Sequence, residues 1–183
     1  MPGHLGEQIE AYFGDGHRFG INIRYSYERQ GLLGTAGALK NAEGLLEDTF
    51  YTMYGDSYLF LDFAGVMAYF RQQAKLALMT VHRNYDRYER SNTVVEGSLV
   101  KYYSKKEKTP GMTYIEYGAN IFRKETLRLV PADQPYSLEE LVHRLIGKRE
   151  LLAYEVKERF YQIGSAEGLA EFKEYISREG VKP

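Results

Sequence analysis

The run KLALMTV at 75–81 is apolar almost throughout, and it is too short for a helix that buries every face. A strand of this kind needs cover on both sides, as in a sheet flanked by helices. What precedes it fits that architecture, because strand-like and helix-like patterns alternate. In LGEQIEAYFGDG, Leu5, Ile9, Tyr12 and Phe13 fall on one helical face before Gly14 and Gly16 stop it. GINIRYSYE then alternates Ile21, Ile23, Tyr25 and Tyr27 with polar residues, the pattern of a half-buried strand. GTAGALKNAEGLL turns at glycine and continues as a helix with Leu39, Ala42 and Leu46 inward, and TFYTMYGD follows as a strand. In LDFAGVMAYFRQQ, Asp62 is placed to cap a helix that turns Phe63, Val66 and Phe70 inward. Alternation of this kind predicts a largely parallel α/β sheet with helices on both faces.

The second half changes character. NTVVEGSLVKYY reads as a hairpin turning at Glu96-Gly97, and MTYIEYGANIF as a further strand. Ser137 and Glu140 form a capping box ahead of a helix with Leu138, Leu141, Val142 and Leu145 on one face. LLAYEVKERFY is another strand, and SAEGLAEFKEYIS closes the chain as a helix with Leu169, Phe172 and Ile176 inward. No linker, repeat or low-complexity stretch divides the 183 residues, so the expectation is one domain, 1–183, with a mixed sheet.

Composition narrows the function classes. A formal net charge of −1 supplies no basic field to draw the chain to nucleic acid or an anionic membrane. With no cysteine there is no disulfide, thiolate zinc site or cysteine nucleophile, and a reducing cytoplasm is the simplest setting. No apolar run approaches the ~20 residues of a membrane span. His4, His17, His82 and His143 do not pair at metal-binding spacing, and no G-x-S-x-G elbow marks a hydrolase. Lys101, Lys105, Lys106 and Lys108 crowd VKYYSKKEKTPG, which reads first as a solvated loop and second as a phosphate contact. Glycines 31, 34 and 37, with Thr35, make a strand-to-helix turn able to offer amides to an anion, although such turns are more often structural. Asp56, after an apolar strand and next to Gly55, suits either a turn or a Mg²⁺ held through one carboxylate and substrate phosphates.

Taken in order, HLGEQIEAYFGDGHRFGINIRYSYE, LLGTAGALKNAEGLL, YTMYGDSYL, YIEYGANIF and RFYQIGSAEGLAEF resemble the sugar-1-phosphate nucleotidyltransferases, especially the heptose, mannose and glucose 1-phosphate branch. The resemblance implies a Rossmann-like GT-A fold and the reaction of a nucleoside triphosphate with a sugar 1-phosphate to give a nucleotide sugar and pyrophosphate. It assigns Asp56 to Mg²⁺, and Gly34, Thr35, Gly37 and Gly55 to the nucleotide. Tyr117, Gly118 and Asn120 fall to the sugar, and Lys105 or Lys106 to the sugar phosphate.

The departures are as informative. The family's opening strand, its G-x-G-T-R loop and its Pro-Lys-Pro segment have no counterpart here, so the chain reads as N-terminally truncated and a poor binder of triphosphate on its own. Gln162 stands where the family places the acid that completes the metal site, and Ser104 where an acid precedes the lysines. An unpaired sheet edge is then expected, closed by pairing INIRYSY with TFYTMY, by a homodimer, or by a chain carrying the missing half. The alternative to an enzyme is a noncatalytic nucleotide- or sugar-phosphate-binding subunit of the same fold. An NDP-sugar-using glycosyltransferase fits less well, for want of paired aspartates.

Overall fold

A computed structural model describes residues 6–28, 31–132 and 134–179. The chain packs as two compact units and crosses between them three times: 1–50 with 123–144, and 51–122 with 145–183. His4 and Leu5 lie outside the described residues.

In the first unit, α1 (Gly6–Phe13) forms as expected, yet Ile9 and Tyr12 stay exposed. The strand expected over 20–28 does not form. Alternating side chains supply propensity only, whereas a strand exists by its ladder, and Ile23 N–H here donates to the Asp15 carbonyl, eight residues back. Helix α2 (Gly34–Asn41) carries buried Ala36 and Ala38. Its start is held by residue 136: the Ala36 and Gly37 amides both donate to the Tyr136 carbonyl, at 2.9 and 3.0 Å. A Cβ on Gly34, whose φ is +71°, would lie 2.7 Å from that carbonyl oxygen, so only glycine fits.

The second unit holds most of a six-stranded mixed sheet. Its strands are β1 (Thr49–Met53), β3 (Ala77–Arg83), β4 (Thr93–Glu96), β5 (Leu99–Tyr103), β6 (Tyr114–Arg123) and β7 (Leu151–Glu155), in the order β1-β6-β3-β7-β5-β4. Strand β2 (Ser57–Tyr58) pairs separately with β8 (Tyr161–Gln162). The KLALMTV run is the sheet's middle: β3 lies antiparallel to β6 and parallel to β7, and six of its seven residues are buried. Helix α3 (Phe63–Arg71) begins at Asp62, whose carboxylate accepts from the Gly65 amide at 2.9 Å, and turns Val66 and Phe70 onto Leu78, Ile121 and Leu152. The hairpin turns one residue later than expected, with Glu96 opposite Leu99 and Gly97 at φ +60°.

Helix α4 (Leu138–Gly147) starts with the expected capping box, the Ser137 hydroxyl accepting from the Glu140 amide while the Glu140 carboxylate accepts from the Ser137 amide. Helix α5 (Ala166–Glu179) lays Phe172 and Tyr175 on the β2–β8 pair through Tyr58 and Tyr161, with ring centroids 4.5 to 5.6 Å apart; Leu169 remains largely exposed. Among the described residues β1 ends the sheet, with β6 beside it, so the anticipated pairing of INIRYSY with TFYTMY is absent.

Candidate active site

Asp56 sits in the turn between β1 and β2, which two links and one glycine bring against β8 and the loop after it. Ser57 pairs with Gln162, the Ile163 amide donates to the Asp56 carbonyl at 2.7 Å, and Gly164 leaves room for both side chains. A Cβ at 164 would come within 2.8 Å of Gln162 Nε2 and 3.1 Å of Asp56 Oδ2. Two positions assigned to a metal, far apart in sequence, are therefore neighbours.

The cavity they border encloses about 380 Å³ and is lined also by Tyr54, Glu89, Asn92, Lys105, Glu116 and Gly118. Of the two candidate lysines the structure brings in Lys105, whose Nζ donates to the Tyr54 hydroxyl at 3.2 Å and lies 4.7 Å from that ring's centre; Lys106 is exposed and does not line the cavity. Ser104 borders it too, but its hydroxyl accepts the Lys106 and Glu107 amides.

Strand β6 supplies the back wall through an irregularity. Met79 pairs with Asn120 and Val81 with Glu116, so residues 117–119 stand opposite Thr80 alone. The Thr80 hydroxyl donates to the Ala119 carbonyl at 2.5 Å and fills the break. Such a bulge re-aims side chains, and Gly118, at φ +103°, is its pivot. Tyr117 is buried, and its hydroxyl both accepts from the Phe60 amide and donates to the Phe60 carbonyl at 3.1 Å. Burial pushes that phenol up to about 12. Asn120 lies behind the wall, donating to Glu116 Oε1 at 2.8 Å.

Gly34, Thr35 and Gly37 belong to the other unit and do not line this cavity. The Thr35 hydroxyl accepts the Leu138 amide at 2.7 Å, at the start of α4. Gly55 has open space where a Cβ would stand.

Sequence reading missed Glu89, Asn92, Glu116 and Tyr54. Only Glu116 carried a signal, as an acid inside the otherwise apolar YIEYGANIF. Glu89 is exposed at the cavity's rim, yet its carboxyl is raised above the ordinary value, first by partial desolvation and then by repulsion from Asp56, while Arg159 opposes the shift. Arg159 is held by both carboxylate oxygens of Glu171, at 2.8 and 2.9 Å, between the rings of Tyr88 and Tyr161.

An oxygen-only donor set with two carboxylates fits a hard divalent cation, which commonly takes one or two protein carboxylates and completes its shell with phosphates and water. Asp56 and Glu89 could supply that charge. Gln162 Oε1 already accepts the Ser165 amide at 3.2 Å, and among the described residues no group of three or more acids or histidines converges.

The family profile of the nucleotidyl transferases matches residues 3–179, and the chain belongs to that family. A UTP--glucose-1-phosphate uridylyltransferase of Synechocystis is 30% identical over an alignment covering 74% of this chain and 39% of the uridylyltransferase. A D-glycero-alpha-D-manno-heptose 1-phosphate guanylyltransferase of Campylobacter jejuni is 26% identical, with 91% and 72% covered. The chain thus spans well under half of the first relative and nearly three quarters of the second. Among solved structures, HddC from Yersinia pseudotuberculosis complexed with GMP-PN superposes with a TM-score of 0.74 at 21% identity, over 93% of this chain and 74% of that one. The inositol-1-phosphate CTP transferase from T. maritima gives 0.75 at 17% identity, over 98% and 76%. The mixed α/β architecture is the one these proteins share, and no helix among the described residues is long and apolar enough to cross a membrane.

Proposed function

We propose that this protein transfers a nucleotidyl group from a nucleoside triphosphate to a sugar 1-phosphate, and that the Asp56 cavity is the sugar 1-phosphate side of the site. The observation that carries the reading is the convergence of Asp56, Gln162 and Lys105 on one cavity from three separate stretches of chain. In the reaction a phosphate oxygen of the sugar phosphate bonds to the α-phosphorus of the nucleotide, the bond from that phosphorus to the bridging oxygen breaks, and pyrophosphate leaves. Two polyanions must be brought together, so the protein's part is mainly positioning and charge neutralisation.

Lys105 is placed to take the sugar phosphate, its ammonium steadied on Tyr54. Asp56, with Glu89 facing the same cavity, would hold Mg²⁺, which when bound offsets phosphate charge. Gln162 adds a neutral amide beside Asp56 and orients the Ser165 turn. On this reading the fold is of the GT-A type, the setting is the cytoplasm, and Gly34, Thr35, Gly37 and Gly55 attend the nucleotide. The heptose and glucose 1-phosphate enzymes among the relatives support those two sugars, with guanine or uracil nucleotides, as first substrates to try. The end position of β1 supports sheet continuation by a second copy or another chain.

The test is pyrophosphate release from GTP, UTP, dTTP and CTP with glucose, mannose and heptose 1-phosphates, in Mg²⁺, for wild type and Asp56→Asn. Sugar-dependent release that Asp56→Asn removes is the expected result. Nucleotide-sugar binding without release in any combination would favour the noncatalytic subunit.

A further inference from the structure

Glu116 has a place in the cavity that the phosphate chemistry above does not use. It is 7% exposed, in the back wall, and a buried carboxylate is costly unless donors surround it. Its donors are neutral: the Tyr103 hydroxyl at 2.5 Å to Oε2, and the Asn120 amide at 2.8 Å and the Tyr54 hydroxyl at 3.4 Å to Oε1. Its own amide is fixed by Asn92 Oδ1 at 2.9 Å. A carboxylate offers about four acceptor positions, and the Tyr54 contact is too long to fill one well. Behind it, Asn120 is 1% exposed and its Oδ1 has no hydrogen-bond partner.

This wall is rich in acceptors and short of donors. A phosphate has only acceptors to give at neutral pH and carries the same sign of charge, so it is repelled from Glu116 and drawn to Lys105. A hydroxyl has the missing donor. The cavity therefore combines cations, Lys105 and Arg90, with an acceptor-rich stretch of wall at Glu116, which suits a ligand bearing phosphate at one end and hydroxyls at the other.

We propose that Glu116 is a specificity-determining residue of this site, its carboxylate held by Tyr103 and Asn120 to accept a hydrogen bond from a ring hydroxyl of the sugar. The inference rests on the nucleotidyltransferase reading and deepens it: the substrate class is a sugar phosphate chosen by hydroxyl pattern, beyond mere recognition of phosphate.

The experiment is calorimetric titration, in Mg²⁺, of GDP-mannose against GDP, UDP-glucose against UDP and dTDP-glucose against dTDP, with wild type, Glu116→Gln and Tyr103→Phe. Melting temperatures establish which variants are folded. A hydrogen bond to a charged acceptor corresponds to about ten- to a hundredfold in affinity. The expected result is that Glu116→Gln weakens at least one nucleotide sugar by that factor and its nucleoside diphosphate by no more than about twofold. A deoxy-sugar analogue lacking the recognised hydroxyl should lose the same factor with wild type and nothing further with the variant. Tyr103→Phe should weaken the same pair in the same direction, and stands in if Glu116→Gln does not fold. Equal weakening of sugar-bearing and sugar-free ligands, or no weakening in either variant, overturns the assignment. If wild type binds neither member of any pair, the nucleotidyltransferase reading itself falls, and the assignment with it.

Discussion

Asp56 and Gln162 meet above Gly164, where the ideal Cβ position of residue 164 lies 3.1 Å from Asp56 Oδ2 and 2.8 Å from Gln162 Nε2. Glycine at 164 is the condition for the two side chains to share that space. Gly164→Ala forces them apart. We expect Mg²⁺-dependent nucleotide-sugar affinity to fall about tenfold while the melting temperature drops by no more than a few degrees. Unchanged affinity in titration calorimetry would show that the Asp56–Gln162 proximity has no bearing on binding.

Asp56→Asn preserves the backbone bond from Ile163 and the pairing of Ser57 with Gln162. Its stability should stay within ~0.5 kcal/mol of wild type, as for other exposed sites. The Mg²⁺ dependence of nucleotide-sugar binding should disappear. A large melting shift with Mg²⁺-dependent binding intact would instead make Asp56 a turn residue.

Glu89 gives a pH signature. Its folded-state value is raised, first by partial desolvation and then by the Asp56 charge, so the folded protein holds this proton more tightly than the unfolded chain does. Stability from this group is therefore fullest below the unfolded carboxyl value and is lost as pH rises through the window up to the folded value. Glu89→Gln removes the effect. The melting temperature of Glu89→Gln minus that of wild type should climb across that acid window and level off toward neutral pH. A difference with no pH dependence there would be the contrary result.

Thr35 separates a structural from a nucleotide role in the first unit. Its hydroxyl accepts the Leu138 amide at the start of α4, so Thr35→Val should cost about 1 kcal/mol, as for a lost helix cap, and Thr35→Ser should retain most of it. Chemical denaturation reads this directly. A nucleotide role adds a loss of nucleoside diphosphate affinity in Thr35→Val at temperatures where both variants are folded.

Tyr117→Phe removes a hydroxyl that serves both the amide and the carbonyl of Phe60. Leaving two partly buried backbone groups without that partner should destabilise the protein by roughly 1 kcal/mol. The loss should be pH-independent from neutrality to about pH 9, because the phenol is neutral in both states over that range.

How much of this was legible beforehand depended on whether the determinant was local. Asp62 and the Ser137–Glu140 pair announced their helices because a cap is a contact over three residues. The middle strand was legible because full burial leaves an unbroken apolar run. Residues 21–28 misled, since their alternation is that of a strand but the ladder is absent. Asp56 and the lysine loop stood out from their neighbours in the sequence and Gln162 from the resemblance, whereas only the fold shows that Lys105 lines the cavity and Lys106 does not. Glu116 left only a faint trace: an acid in an otherwise apolar strand stands out, but it reads first as the strand's wet face, and only the approach of Tyr103 and Asn120 shows it buried.

The two rungs between Ser57–Tyr58 and Tyr161–Gln162 have a kinetic consequence. They close a loop of more than a hundred residues with only two rungs, so the ladder by itself repays little of the chain entropy it costs. The sheet can be complete while Asp56 and Gln162 are still apart. We expect assembly of the site to come late in folding, and brief release of those rungs to open it in the native protein, readable as fast amide exchange at Tyr58 and Ile163 against slow exchange in β3.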